Sequence, residues 1–260
     1  MSPVGAFGER TDEVTGRGAD DGERGSDGEP DGHGATRRVL VFAGGDFTPD
    51  VLDGIDTRGM TALCADRGLA HCLEAGLSPA LLIGDFDSVS STLLARESLA
   101  DVPRLSFPAV KNESDLELAL RTLADGPDEL PASLRAPDEV VLVGVSGGRT
   151  DHCLFNWLLA ASRVWPFELR LLDASIDAVV VTPDRPLSGP ALPAGRTVSL
   201  LPLGRVTGVS TGGLRYRLAG ATLDVGTTLG LSNVADGEPL SVSVAGGVVL
   251  VMRCREDASR

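Results

Sequence analysis

From Arg37 to about Asp173, short apolar runs alternate with stretches of helical length. "RRVLVFAGG" predicts a first strand ending in Gly44-Gly45, and Thr48-Pro49 predicts the cap and first residue of a helix. "MTALCA" and "PALLIG" predict two more strands, with a helix from Gly68 to Gly76 between them. "PRLSFP" is a weaker strand. "SDLELALRTLADG" predicts a strong helix: Ser114 and Glu117 form a capping-box pattern, and Leu116, Ala119, Leu120 and Leu123 make an apolar face. "DEVVLVGVSGG" predicts a buried strand, followed by an amphipathic helix from about Asp151 to Arg163. Strands alternating with helices predict a parallel sheet covered on both faces.

After about Ala174 the pattern changes. Pro and Gly become dense, and strand-like runs recur about every eight to twelve residues, the spacing of an all-β unit. These runs are "DAVVVT", "RTVSLLPL", "GLRYRLA", "PLSVSVAGG" and "VVLVMR". Leu240, Val242 and Val244 alternate with Ser241 and Ser243, and Gly246-Gly247 predicts a hairpin turn. The fold class expected is therefore α/β. A parallel-sheet domain over residues 37–173 precedes an antiparallel β-sandwich over residues 174–260.

Composition adds a third segment. Residues 1–36 are rich in Gly, Asp and Glu with almost no large apolar side chains, so an acidic disordered tail is expected there. It lacks the apolar core of a secretory signal, and no stretch approaches the roughly 18 apolar residues of a membrane span. The net charge of -14 excludes a nonspecific nucleic-acid or anionic-membrane binder, since both need basic patches. Cys64, Cys72, Cys153 and Cys254 form no C-x-x-C pair or metal-like spacing, which favours a reduced, cytoplasmic setting. The basic residues are otherwise all arginine, and Lys111 is the one lysine of the chain. It marks a place where a compact ammonium is needed rather than a planar fork, or else it is a chance survival.

In open parallel sheets, ligands bind beyond the carboxyl ends of the strands. The polar clusters of the first half fall there: Gly44-Gly45-Asp46, Asp66-Arg67-Gly68, Gly84-Asp85-Phe86-Asp87-Ser88 and Gly147-Gly148-Arg149-Thr150-Asp151-His152. Lys111 to Asp115 leads into the capped helix. Carboxylates beside Gly-rich turns, with one Lys and one Arg, suit a magnesium-bound polyphosphate. In an extended segment Asp85 and Asp87 point to one side while Phe86 turns to the core. Each cluster also has a plain structural reading. Asp85 and Asp87 can close a turn on nearby N–H groups, Ser114-Asp115 can be only a helix cap, and Arg149, Asp151 and His152 can be a surface ion pair. His71 reads as ordinary surface or core. No G-x-x-x-x-G-K-[ST] is present, which excludes a P-loop protein.

"CADRGLAHCLEAGLSPALLIGDFDSV", "KNESDLELAL", "GGRTDHCLFN" and "TGGLRYRLAGATLDVGTTLGLSN", in that order, resemble the thiamine pyrophosphokinase (thiamine diphosphokinase) family from Arg37 to about Cys254. The resemblance implies pyrophosphoryl transfer from ATP to the hydroxyethyl oxygen of thiamine, with release of AMP and a need for Mg²⁺. It also implies a homodimer with thiamine bound where domains of different subunits meet. Asp85, Asp87 and Asp115 would be ligands of magnesium and ATP, and Asp66 would stand near the triphosphate or the substrate. Gly44, Gly45, Ser88, Lys111, Arg149, Asp151 and His152 would shape the nucleotide site. Tyr216, the chain's one tyrosine, stands where the family tends to place a tryptophan stacked on the thiamine ring, and Ser232 and Asn233 would hold the pyrimidine. The family's D-G-G-A-N reads Asp66-Arg67-Gly68-Leu69-Ala70 here, with Arg67 in place of a glycine and Ala70 in place of the asparagine. A pyrophosphokinase acting on a pterin alcohol, and a non-catalytic nucleotide or thiamine sensor, are the competing readings.

Overall fold

Apolar side chains at every position of a strand need cover on both faces, and β1 (Arg38–Phe42) shows why. Val39 and Val41 face one hydrophobic layer with Leu63, Ile83, Val140 and Leu142, while Leu40 and Phe42 face another with Leu82, Val141 and Val143. The computed structural model describes residues 36–255. The tail expected over residues 1–36 therefore lies outside the described residues, Thr36 excepted.

Five strands join β1: β2 (Met60–Ala65), β3 (Pro79–Gly84), β4 (Arg104–Ser106), β5 (Glu139–Val143) and β6 (Glu168–Leu172). All pair in parallel, in the order β6-β5-β1-β2-β3-β4. Helix α1 (Gly68–Glu74) sets Leu69 and Cys72 into the layer of Phe42. A single turn, α2 (Ser91–Leu94), follows β3. On the opposite face, α3 (Asp115–Asp125) buries Leu116, Ala119, Leu120 and Leu123. Its Ser114 caps the helix by accepting from the Glu117 N–H at 3.2 Å, and Gly126 ends it at φ 56°.

The sheet continues through β7 (Ile176–Val181), β14 (Val249–Cys254), β9 (Thr197–Pro202) and β12 (Asn233–Val234), now antiparallel. The change from parallel to antiparallel pairing falls between β6 and β7, and the sheet itself has ten strands. A second antiparallel sheet packs over this extension in the order β11-β10-β13-β8: β11 (Ala221–Leu223), β10 (Val206–Gly212), β13 (Pro239–Ser243) and β8 (Leu187–Ala191). Val198, Leu200, Val249 and Val251 from one sheet meet Val206, Val209, Leu240 and Val242 from the other. The expected α/β class with a β-sandwich is the architecture observed.

Four local expectations are corrected. Thr48-Pro49 opens only a 3-10 turn, Pro49–Leu52, and the Thr48 side chain makes no cap bond. "GLRYRLA" is not a strand, because Gly213 turns the chain at φ 73° and the strand lies just before it, at β10. Gly246-Gly247 is not a hairpin turn: β13 pairs with β10 and β8, while β14 pairs with β7 and β9, so these glycines carry the chain from one sheet to the other. Helix α4 (Thr150–Ala160) buries Ala160 but leaves Leu154, Phe155 and Leu158 exposed, so it is not the cleanly amphipathic helix expected.

Candidate active site

The chain leaves β1 in one direction through β2, β3 and β4, and in the other through β5 and β6. The strand order therefore reverses between β1 and β5. A crevice at such a reversal, beyond the carboxyl ends, is where open parallel sheets receive ligands. Here the loops after the two strands are joined: Gly45 N–H donates to Gly144 O at 2.7 Å and Asp46 N–H to Ser146 O at 2.7 Å. Gly147 stands at φ 84°, a conformation that favours glycine, and a Cβ there would displace the Asp46 side chain, whose carboxylate lies 2.0 Å from it.

A cavity of about 630 Å³ opens at this reversal, within the size range of small-molecule sites. Phe47, Arg67, His71, Ser146 and Asp173 are among the residues that line it. The His71 Nε2 lies 2.8 Å from Gly45 O, which can only accept, so Nε2 carries the proton. The ring packs against Phe47 with centroids 5.2 Å apart. Asp173 receives the Ser146 hydroxyl at 2.7 Å, and its other oxygen takes the Ser175 and Ile176 N–H groups. His71 thus lines a cavity at the rim, where the pattern alone read it as ordinary. Phe47, Ser146 and Asp173 were not singled out. The available signal was a strand-like stretch, "LRLLD", ending in an acid at a strand's carboxyl end, as "LLIGD" does.

The second part of the rim gathers acids. Oxygens of Asp66, Asp85 and Asp87 come within 4.8 Å of one another. The segment that carries the pair is not extended as expected: Gly84 stands at φ 147° and Phe86 at φ 60°. Phe86 does pack against the core. Asp87 N–H donates to Asp85 Oδ1 at 3.1 Å, so the turn reading and the convergence of carboxylates are both realised. Asp66 is itself left-handed at φ 45° and accepts from the Ser88 hydroxyl, while its Oδ1 is buried without a partner among the described residues. Asp115 is not among the three acids that converge within 4.8 Å, but its charge acts on Asp66 and Asp87, and it faces Lys111. The ammonium bonds Asp115 at 2.8 Å and lies 3.7 Å from Asp85. Its side chain is only 12% exposed, so the lone lysine is set between two carboxylates rather than loose on the surface.

Charge tuning follows this geometry. Burial pushes the Asp66 carboxyl up, aided by the charges of Asp115, Asp85 and Asp87 and opposed by the Ser88 bond. The Asp87 N–H holds Asp85 down, together with Lys111, whereas the bond to Asp85 and its charge push Asp87 up. An acid whose pKa is raised by folding favours the fold when protonated and opposes it when ionised, so this contribution is lost as pH rises. Asp66→Asn keeps the left-handed backbone accessible and removes the charge. It is expected to raise the melting temperature of the metal-free protein at pH 7, with the gain gone below the unfolded carboxyl pKa of about 3.9. Calorimetry at the two pH values checks this; a lower melting temperature at pH 7 contradicts it.

The remaining predicted residues fall in two places. Arg149 pairs with Asp151 at 2.5 Å at the exposed start of α4, where it holds the Asp151 carboxyl down at about 2, and His152 is exposed beside them. Gly44 and Gly45 lie in the loop after β1. In the second half, Tyr216 is 63% exposed and Ser232 is left-handed at φ 53°. Asn233 is buried, and its amide is engaged with the backbone of Tyr216. It accepts from Tyr216 N–H at 3.0 Å and donates to Tyr216 O at 2.7 Å, fixing the segment that carries the exposed ring. This trio shares no hydrogen bond or ion pair with the acid cluster among the described residues.

Residues 58–164 match a family profile described as "Thiamin pyrophosphokinase, catalytic domain", and residues 185–249 match one described as "Thiamin pyrophosphokinase, vitamin B1 binding domain". The chain belongs to the thiamin pyrophosphokinase family. The first match spans the acid cluster and Lys111, and the second spans Tyr216, Ser232 and Asn233. The chain is 26% identical over 221 residues to the thiamine pyrophosphokinase of Bacillus subtilis (strain 168), covering 84% of this chain and 98% of that protein. Its fold is similar to the crystal structure of the thiamine pyrophosphokinase from Bacillus subtilis, with a TM-score of 0.68 at 24% identity, covering 84% of this chain and 99% of that one. It is also similar to the thiamin pyrophosphokinase from Candida albicans, with a TM-score of 0.64 at 16% identity, covering 84% and 90%.

Proposed function

We propose that this protein makes thiamine diphosphate by transferring the pyrophosphoryl group of ATP to the hydroxyethyl oxygen of thiamine, releasing AMP. The observation that carries the reading is the convergence of Asp66, Asp85 and Asp87 beside Lys111 at the carboxyl end of the parallel sheet. The acids suit Mg²⁺: they are hard oxygen donors, one of them with a buried oxygen that has no partner among the described residues. Asp85 and Asp87, with Asp115 or Asp66, would hold the ion. Bound there, magnesium would neutralise charge on the phosphate oxygens and make the phosphorus more electrophilic.

The chain's own groups supply the rest. In this reading residues 37–173 handle ATP and metal, and residues 174–260 handle thiamine. The cavity at the strand reversal receives the nucleoside end of ATP. Lys111, aimed by Asp85 and Asp115, presents its remaining N–H groups to the transferred phosphates. Arg149, ordered by Asp151, adds a second cation from the start of α4. Tyr216 offers an exposed ring face to the cationic thiazolium, and Ser232 and Asn233 would hold the pyrimidine. The thiamine hydroxyl is not ionised at neutral pH, so its proton passes to a carboxylate of this set, Asp66 or Asp87, as the bond to phosphorus forms.

Two further properties belong to the same reading. Phe155, 72% exposed, with Leu154, Leu158 and Val164, is covered by a second copy in a homodimer. All four cysteines are free, in keeping with a reducing, cytoplasmic setting, and no helix among the described residues is long and apolar enough to cross a membrane. A side-by-side assay with thiamine and a pterin alcohol tests the substrate. AMP formed with thiamine is expected; AMP formed only with the pterin overturns the assignment.

A further inference from the structure

Arg255 follows the last strand and reaches across the chain to the strand-reversal cavity. Its guanidinium donates to Val51 O, to Asp53 O at 3.0 Å and to Asp173 O at 3.1 Å, and it lies 3.5 Å from Asp50 O. Its own N–H donates to Ser175 O at 2.8 Å. Val51, Asp173 and Ser175 all line the cavity. Two walls that come from opposite ends of the parallel region are thus tied by one side chain more than 80 residues from either. Asp50 O already accepts from the Asp53 N–H at 3.0 Å, whereas the carbonyls of Val51 and Asp53 turn to the guanidinium, whose five donors in a fixed plane can collect several acceptors at once. Arg255, the 49–53 turn and Asp173 all lie outside the two family-profile matches.

We propose that Arg255 is a positioning residue for nucleotide binding, holding the 49–53 turn and the 173–175 loop at the separation that ATP requires. The proposal rests on the assignment of this cavity to the nucleoside end of ATP. It touches neither the acid cluster nor the Tyr216 segment, so it acts on one substrate only.

The test compares binding of α,β-methylene ATP, which cannot release AMP, with steady-state constants for both substrates. Arg255→Ala is expected to weaken analogue binding and raise the KM for ATP about tenfold. The kcat at saturating ATP and the KM for thiamine stay within about twofold of wild type, the pattern of lost binding rather than lost chemistry. Arg255→Lys keeps the charge but reaches fewer carbonyls, and gives an intermediate KM for ATP; it carries the comparison if the alanine variant does not fold. Lowered thermal stability with both KM values unchanged would overturn the proposal, leaving Arg255 a purely structural tie. Thr48→Trp separates the underlying assignment, because Thr48 is an exposed lining residue without a cap bond. Weak ATP binding in Thr48→Trp with normal binding in the Arg255 variants defeats the proposal alone. Normal ATP binding in Thr48→Trp defeats the cavity assignment and the proposal with it.

Discussion

Asp87→Asn is expected to lower kcat at least about a hundredfold while circular dichroism and the melting temperature stay close to wild type. Asp87 is exposed, and the turn onto Asp85 is closed by its backbone N–H, with its carboxyl in a further bond to the Asp85 carboxyl that an amide can also make. The amide therefore fits where the carboxylate stood, and the fold loses little. The negative charge is what goes. The carboxyl is already pushed up by its bond to Asp85 and by that neighbour's charge, so neutralising it relieves repulsion in the metal-free protein. Loss of activity with retained or improved stability is the combination expected of a residue kept for chemistry. Near-wild-type turnover in Asp87→Asn would remove the metal assignment from this loop.

Lys111→Arg is expected to lower kcat/KM for ATP about tenfold or more, although the charge is preserved. The Lys111 side chain is 12% exposed, and its ammonium sits between Asp115 at 2.8 Å and Asp85 at 3.7 Å. A guanidinium is longer and planar, and would engage one carboxylate through two parallel bonds while pushing the other away. Asp85 would then be freed to repel Asp87 and Asp66. Burial works against the Lys111 charge, but Asp115 and Asp85 raise the ammonium above its ordinary range, so it is protonated at any pH where the enzyme works. Steady-state kinetics of Lys111→Arg and Lys111→Met together separate charge from shape. An arginine variant with wild-type constants would make the lone lysine a chance survival after all.

Much of the first half was legible because each element is signalled locally. β2 and β3 cover "MTALCA" and "PALLIG" residue for residue, since two-sided burial leaves unbroken apolar runs. Ser114 and Gly126 punctuate α3 through side-chain capping and a left-handed glycine, both written in single residues. The acid cluster was legible as a set of loops at one rim, but its membership was not. Asp66 joins Asp85 and Asp87 because β2 pairs with β3, and Asp115 turns to Lys111, four residues earlier in the loop before α3.

The β-rich half was harder for a physical reason. β10 reads "VTGVSTG", and a register shift between Val206 and Val209 breaks the alternation that marks a half-buried strand. "GLRYRLA" alternates well and is not a strand: Gly213 turns the chain, Leu214 and Leu218 still pack on the core, and Arg215, Tyr216 and Arg217 face solvent. The strand-reversal cavity was illegible as a whole. Phe47, His71, Ser146 and Asp173 come from four segments, and each alone passes for core, cap or turn. The strand order assembles them, and a contact such as Arg255 to Val51 has no local trace at all.

The account stands on one measurement: release of AMP by the purified protein given ATP and thiamine, with and without Mg²⁺. It predicts AMP and thiamine diphosphate in equal amounts when Mg²⁺ is present and neither after chelation. Thiamine binding without AMP release in the presence of Mg²⁺ would contradict it and make the protein a sensor.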